Sequence, residues 1–261
     1  MPGDRGDGPA RSETRVDPHV KVLDGDVVAR AKARGLDALV YAPHFTRLPA
    51  VERRAARFAD EDLLVVPARE LFTGSWRNRK HVLALGLDEP VPDFLTLEAT
   101  MAELARQDAT VLVPHPEFLT VSLDAGDVAR FRDVLDAVEV YNPKHRRWDN
   151  RRARAIARES DLPTVGSSYA HLRGTVGEVW TALDAAVADG DDLAAALAGD
   201  VSRRVEHRSG RRHRLRCHAE FAHLAWENTW TKVARIAGPG RAATHPAQPT
   251  YGGRFDDVTA Y

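Results

Sequence analysis

Short apolar runs of strand type recur along the chain and alternate with stretches of helical period. RVDPHVK, LDALVYAPH, LLVVPAREL, HVLALGL, TVLVPHP, AVEVYNP and LPTVGSSYA are rich in Val, Leu and Ala, as strands buried on both faces are. Between them, DVVARAKARG, LPAVERRAARFAD, TLEATMAELARQD, DVARFRDVLD, DNRRARAIARES and GTVGEVWTALDAAVA space apolar residues three and four apart, the signature of an amphipathic helix. Gly35 stops the first helix and Thr96 N-caps the third. About seven such alternations predict an α/β fold whose parallel sheet closes as a TIM-like β/α barrel.

The two ends break this rhythm. Residues 1–14, rich in Gly, Pro and charge, predict a disordered tail, and residues 15–199 predict the barrel. Residues 200–261 form an extension. Its basic stretch, 203–216, predicts a surface strand or loop. A helix follows over 213–236, with Phe221, Leu224, Ala225 and Val233 apolar, and with Trp226 and Trp230 four apart on one packing face. After Gly238 the composition returns to Gly, Pro and Thr and predicts a loose end.

Chemistry enters where the runs stop. His19, His44, His115 and His171 close strand-like runs, His81 opens one, and Glu70 closes another. Strand ends converge on one face of a β/α barrel, so residues distant in sequence can share one ion. Imidazole and carboxylate together suit zinc, manganese or iron. Cations are expected beside them: Arg77, Arg79 and Lys80 before His81, Lys144, His145, Arg146 and Arg147 after Asn142, and Arg173 after His171. Arginine can engage two phosphate oxygens at once.

In order, these residues read Asp17-Pro18-His19-Val20-Lys21, Ala42-Pro43-His44, Glu70, His81, His115-Pro116, Glu139 to Asn142, and Gly166-Ser167-Ser168-Tyr169-Ala170-His171. Over about residues 15–188 the chain resembles the polymerase and histidinol phosphatase (PHP) domain family of metal-dependent phosphoesterases, whose fold is a distorted β/α barrel of about seven strands. The resemblance implies a metal site drawn from His19, His44, Glu70, His81, His115 and His171, holding one to three Mn, Zn or Fe ions. Asp24 or Asp26 stands where the family places a further acid. Where the family has D-x-H-x-H, the second His is Lys21; where it ends in G-S-D-A-H, the Asp is Tyr169; Pro43 replaces the Asp of T-D-H.

The activity so implied is hydrolysis of a phosphomonoester or phosphodiester by metal-activated water, on a small phosphorylated metabolite, a nucleotide or a nucleic-acid end. His19, Lys21, Tyr169 and Arg173 are the residues expected to act on substrate. An ammonium among metal ligands opposes ion binding, so Lys21 either weakens the site or occupies a vacated metal position. The alternative is a catalytically degenerate barrel that serves as a nucleic-acid-binding or scaffold subunit. Formal net charge is −1, which excludes a globally basic nucleic-acid binder but not a local patch. The single cysteine, Cys217, permits no intrachain disulfide and reads as an ordinary thiol. His207, His213, His218 and His223 fit no standard zinc spacing. Without an apolar leader or a run of membrane-span length, a soluble cytoplasmic protein is expected, with no membrane partner.

Overall fold

The computed structural model describes residues 13–75, 78–118, 121–236 and 243–260, with side chains in the last helix as far as Leu224 and that of Trp226. The predicted N-terminal tail therefore lies almost wholly outside the described residues, as does Arg77. Among the described residues there are nine strands: β1 (Thr14–Val20), β2 (Ala38–Tyr41), β3 (Leu64–Thr73), β4 (Lys80–Leu85), β5 (Thr110–Val113), β6 (Ala137–Tyr141), β7 (Thr164–Gly166), β8 (Val179–Leu183) and β9 (Arg203–His207). Seven helices accompany them: α1 (Gly25–Ala33), α2 (Leu48–Phe58), α3 (Leu97–Arg106), α4 (Ala125–Arg130), α5 (Arg147–Glu159), α6 (Gly190–Ala198) and α7 (Gly210–Ile236).

The strands form one sheet in the order β7-β6-β5-β4-β3-β2-β1-β8-β9. It curls almost into a ring. Val20 bridges Ala170 just beyond β7, and the Lys21 amide donates to Ala170 O at 2.9 Å. Gly166 on β7 exchanges two hydrogen bonds with the Thr181 hydroxyl of β8, at 2.9 and 3.0 Å. A Cβ at Gly166 would collide with Val205 of β9, so glycine allows this close approach.

Two expectations change here. The sheet has nine strands rather than about seven, and it is mixed rather than parallel. β4 runs antiparallel to both β3 and β5; the connection from Thr73 to Lys80 is too short for the crossover that a parallel β3–β4 pair would need. The segment GTVGEVWTALDAAVA, read as a helix, instead forms a 3₁₀ turn (Arg173–Thr175) and β8. Gly177 takes a φ of 68°, and β8 gains antiparallel neighbours in β1 and β9, so sheet pairing overrides local helical spacing. The basic stretch supplies β9 and the start of α7.

Alternation along the strands sets the interior. Val16, Ala38, Val40, Val66, Ala68, Leu83, Leu85, Leu112, Ala137, Val165 and Leu183 point inward, and Leu193 and Leu197 of α6 plug one end. A second core lies outside the sheet beneath α3 and α5, and a third beneath α1 and α2. The C-terminal segment, expected to be loose, belongs to the second core. Tyr251 and Phe255 are buried there with Leu95 and Leu104, and the Ala260 amide donates to Phe94 O at 2.9 Å. On α7 Leu224 is buried and Trp226 is 67% exposed; the Ala225, Trp230 and Val233 side chains, the rest of the expected packing face, fall outside the described residues.

Candidate metal centre

The barrel end opposite α6 carries the chemistry, and strand alternation explains why. Val66 and Ala68 face inward, so Glu70 does too; Leu85 and Leu83 face inward, so His81 follows. β4 is antiparallel, with His81 opposite Phe72, and its first residues therefore sit at the end where the parallel strands finish. On β1 the register shifts between Asp17 and Val20, a bulge that turns His19 inward and Val20 out to the α1 and α2 side. Lys21, two residues on, shares the face of His19.

Glu70 is the hub. Its Oε1 lies 3.0 Å from His115 Nε2, 3.3 Å from His81 Nδ1 and 3.5 Å from His19 Nε2. Its Oε2 lies 3.0 Å from His44 Nδ1 and is ion-paired with Lys21 Nζ. Glu70, His19, His81 and His115 are buried. Burial would raise the Glu70 carboxyl, but the Lys21 ammonium and the surrounding imidazoles hold it well below the usual carboxylate range. Burial, and then Lys21, push His44 down to about 3 and His19 well below the usual imidazole value. His115 is also lowered, chiefly by burial. These three rings are neutral near pH 7.

Neutral imidazoles facing a carboxylate fit a divalent cation. Ligand atoms of Glu70, His81 and His115 lie within 4.8 Å of one another. Neither ring nitrogen of His19 or His81 makes a hydrogen bond among the described residues, although buried polar atoms are normally satisfied. His115 shows how its tautomer is set. Ser122 gives its hydroxyl proton to Phe118 O at 2.9 Å, so it accepts from His115 Nδ1–H at 2.9 Å, and the Nε2 lone pair faces Glu70. Such outer hydrogen bonds commonly orient metal-binding histidines. Glu139 supports the same group: it accepts from the His115 amide at 2.8 Å and the Asn142 side chain at 3.0 Å, and from the Ser167 hydroxyl.

A second cluster adjoins the first. Lys144 Nζ donates to Tyr169 O and to His171 Nδ1, each at 2.6 Å, and lies 3.3 Å from Glu220 Oε2. An ammonium has no acceptor capacity, so His171 Nδ1 offers it a lone pair. The Tyr169 ring packs against His19 and His115, at centroid distances of 4.5 and 4.9 Å, with Lys144 Nζ 3.6 Å above it. Sequence reading placed Lys144 among loop cations and passed over Glu220. The signal for Glu220 was weak: an acid on a helix, distant from every motif.

Other expected residues lie elsewhere. Asp24 N-caps α1, and Asp24 and Asp26 pair with Arg173 at 2.6 and 3.2 Å, so Arg173 is held by surface acids rather than among the histidines. Asp17 accepts from the Ser168 and Gly177 amides, both at 2.9 Å, and ties β1 to the turn before β8; burial raises its carboxyl to about 6. Lys80 pairs with Asp127 of α4. Arg79 is mostly buried before β4, and Arg147 begins α5. Arg146 stacks on Trp148 at 4.8 Å. His145 packs on Phe118 and meets Asn150 Oδ1 at 3.1 Å. Of the tail histidines, His207 and His213 stack on each other at 5.9 Å, while His213 also pairs with Glu178 at 2.7 Å, His207 stacks on Tyr141 at 4.4 Å, and His223 lies 6.1 Å from His171. Burial pushes the Cys217 thiol up to about 11, which keeps it protonated.

Comparison with known proteins agrees with this fold. Residues 147–200 match the family model described as PHP-associated. PsfC of Pseudomonas syringae PB-5123 is similar in fold, with 22% identity and a TM-score of 0.57 over 85% of this chain and 99% of that one. A two-domain protein of Bacteroides vulgatus with a predicted PHP-like metal-dependent phosphoesterase shows 17% identity and a TM-score of 0.56, over 78% of this chain and 68% of that one. The lesion-specific endonuclease PfuEndoQ of Pyrococcus furiosus shows 14% identity and a TM-score of 0.56, over 74% of this chain and 57% of that one. The PHP-associated segment, the barrel and the ordered motifs from Asp17 to His171 make the chain similar to proteins of the PHP domain family.

Proposed function

We propose that the protein hydrolyses a phosphate ester at the Glu70 centre. One observation carries this reading: a buried carboxylate gathers four imidazoles at a barrel end, and the His19 and His81 rings make no other hydrogen bonds among the described residues. Glu70, His81 and His115, with His19 adjacent, would hold a divalent Mn, Zn or Fe ion. Such an ion brings the pKa of its bound water near neutrality and so supplies hydroxide. The chain's own residues prepare the site. Lys21 places a fixed positive charge beside Glu70, suited to phosphoryl oxygens. Tyr169 walls the histidines off from the Lys144 cluster, and Phe72 packs on His81 at 4.0 Å, limiting water on that side. The substrate is a phosphomonoester or phosphodiester of a small metabolite, a nucleotide or a nucleic-acid end.

The test pairs elemental analysis of untagged protein with phosphate release from a simple aryl monoester and diester. Bound transition metal, with turnover lost in His115→Ala, is the expected result. Metal-free protein without turnover after reconstitution would overturn it.

A second reading has its own observation. A surface groove beside α1 and α7 is lined by Arg30, Arg34, Arg173, Arg208 and Arg216, with Asp26 the single acid. Burial first, and then the crowding of Arg216, Arg208 and Arg30, lower Arg34 to about 10 despite Glu178. An anion would relieve that crowding, so the groove suits a nucleic-acid backbone, whether the barrel is catalytic or serves only to bind. Metal-independent, salt-sensitive binding of DNA or RNA without turnover would favour the binding role.

A further inference from the structure

Lys144 is more than a charge near the site. An imidazole nitrogen, a carboxylate oxygen and a backbone carbonyl converge on its Nζ, a donor set that equally suits a divalent ion. The lysine is nearly inaccessible, with a side-chain exposure of 0% that Glu220 shares. The pocket is built around that pair. Glu220 Oε1 accepts from the His171 and Leu172 amides at 2.9 and 2.8 Å, and from the Thr175 hydroxyl, which leaves Oε2 for Lys144. Lys21 repeats the pattern, since Glu70 Oε2 and Ala42 O, the latter at 2.5 Å, meet on its Nζ.

We propose that Lys21 and Lys144 are resident cations occupying two of the three donor clusters at this barrel end. The centre then takes one divalent ion, at Glu70, His81 and His115, and His171 serves Lys144 rather than a metal. This rests on the metal centre proposed above and narrows it. A tethered ammonium supplies charge that chelation cannot remove. It has no vacant orbital, however, so it cannot activate water, and that role falls to the single ion.

Metal counting tests this independently of turnover. Full-length untagged protein, reconstituted with excess manganese or zinc and then dialysed, should hold one equivalent by elemental analysis. His81→Ala and His115→Ala should reduce the count to near zero, while His171→Ala should leave it at one. Lys144→Ala, which takes the ammonium away from His171 Nδ1 and the Glu220 carboxylate, should raise the count toward two. Two or more equivalents in the unaltered protein, loss of the single ion in His171→Ala, or a folded Lys144→Ala that still holds one would overturn the inference. Should Lys144→Ala fail to fold, the unaltered count and the His171→Ala count decide the matter. No metal at all in the unaltered protein would instead overturn the metal centre itself, which is a distinct result.

Discussion

Single residues show how finely the centre is balanced. Glu70 and Lys21 form a buried ion pair, and removing one partner of such a pair strands the other charge. Glu70→Gln should therefore destabilise the fold by about 3–5 kcal/mol and lower its metal content, as read by urea denaturation and elemental analysis. His145 gives a pH signature outside the Glu70 cluster. Burial pushes it down to about 3 in the folded state, against about 6.5 when unfolded. A lowered folded value means that its neutral form stabilises the fold above about pH 6.5 and that this contribution falls as pH drops toward 3, by up to about 1.4 kcal/mol per pH unit. His145→Gln, which can still meet Asn150, should flatten the fall of the urea midpoint between pH 6.5 and 4; an unchanged profile would exclude His145 as a source of acid sensitivity. The sequence showed most of these residues. Alternation from Leu85 back to His81 and from Val66 on to Glu70 is visible in the string. The β1 bulge that swings His19 and Lys21 inward is not, because a register shift depends on the neighbouring strand. The pairing of His171 with Lys144 was equally hidden, since 27 residues separate them and only the fold brings them together.

At the scale of elements, what was misread is what long-range pairing decides. The segments of β1 to β7 stood out as apolar runs. β8 did not, because Val176, Val179 and Leu183 are also spaced like a helical stripe, and only pairing with β1 and β9 makes a strand of Val179–Leu183. α6 was not read from the sequence, although Ala-rich DDLAAALA follows a cap at Asp189, which accepts from Asp192 N at 2.9 Å. The join between β7 and β9 offers a test of barrel closure. Gly166→Ala would press a methyl group on Val205 and come within 3.2 Å of Val179, so about 1–3 kcal/mol of destabilisation is expected. A neutral thermal midpoint would show that the ring closes with slack.

For the whole molecule, two ends of one barrel have separate tasks. α6 fills one with leucine, and the other keeps charged and imidazole groups away from water. Among the described residues no helix is long and apolar enough to cross a membrane. The overall charge is near neutral, so attraction for polyanions has to come from local basic patches such as the arginine groove. If nucleic acid binds there, Arg30→Glu with Arg208→Glu should weaken binding and reduce its dependence on salt, each lost phosphate contact lowering the log–log slope by about 0.7–0.9. Fluorescence anisotropy across a salt series reads this directly, and unaltered slopes would place the contact elsewhere.

The origin of Glu220 on α7 has a consequence for how the protein is made. Domains take shape as the chain emerges from the ribosome, N-terminal part first. His19, Glu70, His81 and His115 all precede Lys144, and Glu220 follows every strand of the barrel. A chain that ended before α7 would bury the Lys144 ammonium without its carboxylate, a costly arrangement, so this end of the barrel is complete only once the last helix has been made and has docked.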